Sequence, residues 1–448
     1  MRTIKDFFYS QDSYPRVIRQ LYRRVSDSPL GYRLASGSLW SVYGGGATRI
    51  LGLISAIVVA RTMGKKEFGE LGIIQSTVGV FGLVAAFGMD TTTMKYVAQF
   101  RMKDPAKTGR IIKLAELVSG IAGLLVTILS VVISPWICQN ILAAPQLSSL
   151  LQIGSVLLFC GAVNSSQIGS LAGFEAFKVI MVINFLTSIF SFCASLIGVY
   201  VLGLTGVVYA MVATMVVTLL CNHFLLKKVA KRENVELTYR GCFQERSIIT
   251  QFSFPAMLSG IMALSATWVS SAILVNTHRG YEEMGIYNAA TVWKAPILFL
   301  PSIFGPIFLS VLSNLRSEGR SASFDKVLRY YLLLDFIVAA LIAVVISLLA
   351  HTITSFYGSD YSSSEGVLIL RAFASVPIAV ANAIDHAISS HGKAWASFTI
   401  NLLWACFLTG LTWALRGLGA RGLVIAMGLS YLALFAARGT YLYRRLLR

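Results

Sequence analysis

The sequence predicts an all-α integral membrane protein of about 12 transmembrane helices. They form two six-helix, pseudo-symmetric lobes (a parallel repeat), with the N- and C-termini cytoplasmic. Of 448 residues, 56% are hydrophobic and 13% charged, against about 25% charged in a soluble globular domain; the mean hydropathy is +0.71. The apolar residues come in runs of about twenty, the length at which a helix crosses a hydrocarbon core of about 30 Å. Barrel strands would be half as long and would alternate polar and apolar. The third observation is a decapeptide written twice: LGLTGVVYAM at 202–211 and LGARGLVIAM at 418–427, identical at six positions and offset by 216.

The elements follow in order. Residues 1–34 form a basic cytoplasmic arm without the apolar core or small-residue cleavage site of a leader, so no cleavable signal is expected. Within it, Val17, Ile18, Leu21, Tyr22 and Val25 recur at helical spacing among arginines. That pattern reads either as an amphipathic helix on an anionic membrane surface or as a disordered basic tail. The N-lobe, 35–226, holds runs at 37–60, 71–90, 111–134, 148–170, 178–201 and 205–226. A cytoplasmic linker, 227–248, precedes the C-lobe, 249–448, with runs at 250–275, 285–311, 328–350, 367–389, 396–415 and 421–442. Segments between runs are too short for a soluble catalytic or nucleotide-binding domain, and there is no GxxxxGK[ST] phosphate loop. Neither cofactor nor metal is expected: the six cysteines fall mostly inside apolar runs, with no CxxC or Cys/His cluster.

Charge fixes the expected direction. With the N-terminus inside, cytoplasmic segments hold 29 of the 38 lysines and arginines and outer segments hold 6, a strong positive-inside bias. The net charge of +18 is thereby spread along one membrane face, with no concentrated footprint for nucleic acid. The duplication is colinear: EFG at 67–69 and EMG at 283–285 lie at the same offset of 216. An even number of spans per half gives both copies one orientation, related by an axis along the membrane normal with the substrate path between them. The glycines of the repeated phrase read as a tight outer turn with close helix approach.

The stretch ARTMGKKEFGELGIIQST (60–77), followed by AAFGMDTTTMKYVAQF (85–100), resembles the polysaccharide transporters, the O-antigen-type flippases of the multidrug/oligosaccharidyl-lipid/polysaccharide exporter superfamily. Ala60, Arg61, Gly64, Glu67, Phe68 and Gly69 fit the first motif; Phe87, Gly88, Asp90, Lys95, Tyr96, Val97 and Ala98 fit the second. Leu71 replaces a common aromatic. AGFEAFK at 172–178 also resembles the family's segment between spans 4 and 5. The resemblance implies a flippase rather than an enzyme, working in the bacterial cytoplasmic (inner) membrane by alternating access between two lobes. Its cargo would be a polyprenyl-pyrophosphate-linked oligosaccharide for cell-surface polysaccharide synthesis, and its partners membrane lipids and the polysaccharide polymerase machinery.

Three basic residues lie inside spans. Arg49 and Lys294 are near the middle of spans 1 and 8, where a cation costs on the order of 2.5–3.5 kcal/mol. No carboxylate is expected at their depth. A water-filled cavity that admits a pyrophosphate would resolve the cost; the alternative is snorkelling or bonding to carbonyls of a broken helix. At the repeat offset Arg49 faces Ser265 and Lys294 faces Val78, so the charges break the internal symmetry. Arg371, the third candidate, reads as a cation that snorkels to the outer surface. Asp385 with His386 reads as a proton or sodium site or as a cytoplasmic cap, and Asp90 is a further coupling candidate. Glu116 and Asp335 read as helix-dipole residues at the starts of spans 3 and 9. Pro296, Pro301 and Pro306 in span 8 mark either a gating element or a rigid bend. Trp40, Tyr43, Tyr287 and Trp293 near these cations read as packing or belt aromatics, or as platforms for sugar rings.

A multidrug antiporter of the same superfamily would need acidic groups in its cavity for cationic drugs. A membrane polymerase or ligase would need a large outer loop, and the longest outer segments, around 135–147 and 351–366, are short. The orientation has a direct check: reporter fusions at 140 and 236 should report outside and inside respectively, and the reverse pattern would overturn the topology.

Overall fold

The computed structural model describes residues 29–249, 253–317, 321–390 and 394–445. The amphipathic stretch at 17–25 and the tail beyond 445 lie outside the described residues. Helix α1 (Pro29–Ala86) holds the first two spans and bends at Gly64, φ 75°. A short helix α2 (Met89–Phe100) follows, then α3 (Pro105–Asn140), α4 (Ser148–Gly154) and α5 (Val156–Gly173). Helix α6 (Phe177–Arg232) holds spans 5 and 6 and bends at Gly203. The second half comprises α7 (Phe254–Val275), α8 (Gly280–Val292), α9 (Lys294–Ser317), α10 (Ser321–Leu348), α11 (Ala350–Phe356), α12 (Glu365–Ser390), α13 (Ala394–Ala414) and α14 (Gly419–Arg445). Seven of the described helical segments are long and apolar enough to cross a membrane, and Ile261–Val275 and Thr399–Ala414 are shorter apolar helices. Two of the seven, Gly45–Ala86 and Phe177–Arg232, carry two spans each. The fold is a twelve-span, two-lobed helical membrane protein.

The repeat is visible in the backbone. Gly203 has φ 58° and ψ −134°; Gly419, its mate in the second copy, has φ 59° and ψ −137°. That conformation is open mainly to glycine, so the repeated phrase is indeed a tight turn. The other repeated motif meets it in space. The Glu283 carboxylate accepts a hydrogen bond from the Ala420 backbone N–H at 2.7 Å, beside Gly419. Glu67 occupies the equivalent place beside Gly203.

The halves touch where the second limb of α1 crosses α8. A Cβ on Gly69 would run into the Tyr281 carbonyl, and one on Gly285 into the Lys65 carbonyl. Both pairs are exchanged by the repeat offset, so the contact is made twice about one pseudo-two-fold axis. Small residues permit this backbone-to-backbone approach. Lys65 Nζ closes it with Glu282 at 3.0 Å, and that hydrogen bond holds the Glu282 carboxyl below its ordinary range.

Apolar packing divides along the membrane normal. On the side of this crossing one large buried cluster takes residues from both halves, among them Phe68, Leu151, Val207, Leu274, Met284 and Leu368. On the opposite, basic side the described residues form separate clusters. Val97, Ile112, Phe174 and Leu226 belong to the first half, and Phe324, Leu328, Ile384 and Leu442 to the second.

Several expectations change. Residues 89–100, expected to end span 2 and enter a basic loop, form α2, which buries Met89, Thr92, Thr93 and Val97 along one face. Glu116 and Asp335 do not begin helices, because α3 starts eleven residues before one and α10 fourteen before the other. The cap of α3 is Asp104, whose carboxylate accepts from the Lys107 N–H at 2.8 Å. Glu116 instead pairs with Lys113 at 2.6 Å, both buried. Asp335 is buried in mid-helix, with Oδ1 unpartnered among the described residues.

Two outcomes are expected. Gly285→Ala should lower stability in detergent by about 1–3 kcal/mol, because its Cβ overpacks a backbone neighbour; Gly120→Ala, whose Cβ meets nothing within 4 Å, should leave the melting temperature near wild type. The depressed Glu282 carboxyl contributes stability above the free glutamate range, and that contribution is lost as pH falls through its folded value. Thermal melts of wild type and Glu282→Gln should therefore converge below about pH 4, from a small difference at neutral pH.

Candidate functional site

Span 8 is broken. Helix α8 ends at Val292 and α9 begins at Lys294, with Trp293 between them. Pro296 explains the position: it has no N–H to offer the Val292 carbonyl, and its ring crowds that oxygen. The equivalent limb of α1 has no proline and runs unbroken to Ala86. The break puts Lys294 on the first residue of a new long helix, where the helix dipole adds partial positive charge. Pro301 is buried in α9; the Pro306 side chain lies outside the described residues.

Arg49 and Lys294 line one cavity of about 400 Å³ together with Gly52, Leu53, Thr291 and Pro296. Arg49 precedes the bend at Gly64, and Lys294 follows Gly280, by nearly equal stretches of helix. Each is therefore about four turns from the equivalent glycine, Gly64 or Gly280, at the end of its helix, in opposite halves of the chain. The Arg49 guanidinium lies 4.3 Å from the Phe299 ring centroid, a cation–π contact that partly offsets its desolvation.

Arg371 departs from the expectation of snorkelling. It does not reach the outer surface: it is 2% exposed, among the largest fully buried side chains. Its Nε donates to Thr291 Oγ1 at 3.1 Å, and its guanidinium stands 5.7 Å from the Tyr287 ring centroid. Nη1 has no partner among the described residues. Helix α12 packs this face inward against α8, so the side chain ends behind Thr291, in the cavity wall, within Coulombic range of Lys294. Among the described residues no carboxylate forms an ion pair with Arg49, Lys294 or Arg371. Arg371 thus holds a threonine that lines the cavity of the other two cations.

The other candidates stand apart from this group. Asp385 pairs with Arg438 at 3.0 Å. Arg438 is 4% exposed, and it also donates to the Ala381 carbonyl at 2.7 Å and to Asn401 Oδ1 at 2.9 Å. The arrangement ties α14 to α12 and α13. The His386 side chain lies outside the described residues. Asp90 is exposed on the first turn of α2, suited to the helix dipole. Of the aromatics, Tyr287 is buried with its hydroxyl on Met427 Sδ at 3.3 Å, and Trp293 Nε1 donates to the Tyr357 hydroxyl at 3.1 Å. Both are packing groups; the Trp40 and Tyr43 side chains lie outside the described residues.

A second cavity of about 610 Å³ adjoins the first and shares Gly52, Thr291 and Val292 with it. Its polar lining includes Thr48, Ser55, Gln75, Ser188, Ser195 and Asn288, none of which the sequence reading singles out. One of them carries a signal: Asn288 is the repeat mate of Gly72 and sits directly on it. The repeat wrote glycine in one copy and an amide in the other.

A family model described as "Polysaccharide biosynthesis protein" matches residues 34–313. No curated protein matches the chain. Solved structures share the fold. An inward-facing multidrug resistance MATE family transporter of the MOP superfamily aligns with a TM-score of 0.74 at 17% identity, covering 88% of this chain and 94% of that one. A MOP superfamily transporter from Pyrococcus furiosus, described as having a binding pocket of reversed polarity, aligns with a TM-score of 0.69 at 18% identity, covering 92% and 95%.

The geometry separates two roles for Asp385. As the counter-ion of a buried arginine, its replacement in Asp385→Asn should lower the melting temperature by an amount corresponding to about 1–3 kcal/mol and reduce the amount of folded protein. A variant with wild-type stability but no transport would instead mark a coupling site.

Proposed function

Because this chain belongs to the polysaccharide biosynthesis protein family, transporters of the MOP superfamily, we propose that it flips a polyprenyl-pyrophosphate-linked oligosaccharide across the bacterial cytoplasmic membrane. The observation that carries the reading is the cavity holding Arg49 and Lys294, with Arg371 behind its wall and no acidic residue among the described residues that line it. An unpaired cation in mid-membrane is costly; two that share a cavity call for an anion. A diphosphate suits them, since arginine grips phosphate oxygens as a planar fork and lysine follows as a mobile point charge. The start of α9 adds its dipole at the same place. One cation comes from each lobe, so the bound diphosphate bridges them, and its prenyl tail can stay in lipid while the lobes rock about it.

The basic face is the cytoplasmic one on this reading, where the lipid-linked sugar is assembled. A multidrug antiporter on the same fold would have to hold cationic drugs in a cavity lined by arginine and lysine, and like charges repel.

Arg49→Ala and Lys294→Ala should each weaken diphosphate binding roughly 10- to 100-fold, the loss of one charge-assisted hydrogen-bonded contact, and stop polysaccharide export at unchanged protein level. Normal export in both variants would remove the proposal. A deletion strain should accumulate the lipid-linked oligosaccharide on the inner leaflet. Drug sensitivity without that intermediate would favour the antiporter.

A further inference from the structure

We infer that the cavity adjoining the cationic one receives the first sugar of the glycan, and that this sugar is uncharged. The inference rests on the flippase reading above and specifies its substrate. The two cavities meet at Gly52, Thr291 and Val292, so a group held by Arg49 and Lys294 has its covalent neighbour in the second. About 610 Å³ is within the range of small-molecule sites.

Among the described residues the lining contains no ionisable side chain. A uronate or protonated amino sugar would shed its water there and find no counter-ion. A neutral sugar brings hydroxyls, and the lining has groups free to meet them. Gln75 Nε2 reaches only Met211 Sδ, at 3.5 Å, a weak acceptor. Asn288 Nδ2 reaches the Phe68 carbonyl at a long 3.3 Å, leaving its amide oxygen available. Ser188 and Ser195 lie two turns apart on α6 and so share one helix face, which here borders the cavity. Phe192 offers an apolar surface beside them for the C–H face of a ring. The departure of Asn288 from its repeat mate Gly72 also suits a ligand that is itself asymmetric.

The test compares three ligands on the purified full-length protein in nanodiscs: bare polyprenyl diphosphate, the same lipid carrying one N-acetylhexosamine, and the same lipid carrying one hexuronic acid. The neutral-sugar lipid should bind about tenfold tighter than the bare one, the worth of one or two net hydrogen bonds. The uronic acid lipid should gain nothing. Gln75→Leu should erase the tenfold difference, and Ser195→Ala, which removes only the hydroxyl, should do so in part. Equal binding of all three lipids by the wild type, or preference for the uronate, overturns the sugar site and leaves the diphosphate site standing. Failure of all three to bind overturns the diphosphate reading, and this inference with it.

Discussion

Two helices touch backbone to backbone where the lobes meet, and the rest of the molecule is arranged around that contact. Gly69 lies on the Tyr281 carbonyl and Gly285 on the Lys65 carbonyl. Nothing larger than hydrogen fits at either place. The contact sets the separation of the lobes, and with it the width of the space, several turns deeper, in which Arg49 and Lys294 stand. The glutamates of the same motifs stand beside the turns at Gly203 and Gly419, and Glu283 fastens the second lobe's last span to the crossing through the Ala420 N–H. Several residues that carry the family resemblance are thus joints. Phe68 is buried beside this crossing, Ala60 one turn before the bend and Val97 on the buried face of α2, which accounts for a motif that reports family better than cargo.

The broken span is the second organising event. One proline at position 296 ends α8, starts α9 and places a lysine at the new N-terminus. The two halves therefore share topology and differ in chemistry. The first supplies a continuous limb and a hydroxyl-rich wall; the second supplies a helix end and two of the three cations. A duplicated scaffold can hold an asymmetric ligand only after such divergence.

Much of the architecture was legible because membrane spans leave long, simple signals: apolar runs, basic loops, and a repeat offset that holds to the residue. The depth of Arg49 and Lys294 was readable from the same runs. Their convergence on one cavity was not, since run positions say nothing about which helix faces which. Arg371 misled because its distance from a span end is compatible with snorkelling, and only the packing of α12 on α8 shows it turned inward. Glu116 and Asp335 misled for a different reason: hydropathy marks where the apolar part of a helix begins, whereas α3 and α10 begin several turns earlier in polar sequence. Asp385 hid its partner, because Arg438 lies two helices further along the chain and neither position is special in the sequence.

The division of the apolar clusters has a consequence for how the lobes are joined. On the crossing side the lobes share a single dry core; on the basic side each has its own. Parting the lobes at the crossing would strip both of apolar contacts that water cannot replace, whereas the clusters formed by the described residues on the basic side each stay within one lobe. The crossing is thus the heavier joint between the halves; toward the basic side the described contacts between them are lighter, Thr92 Oγ1 on Ser253 Oγ at 2.8 Å and Phe87 beside Phe254.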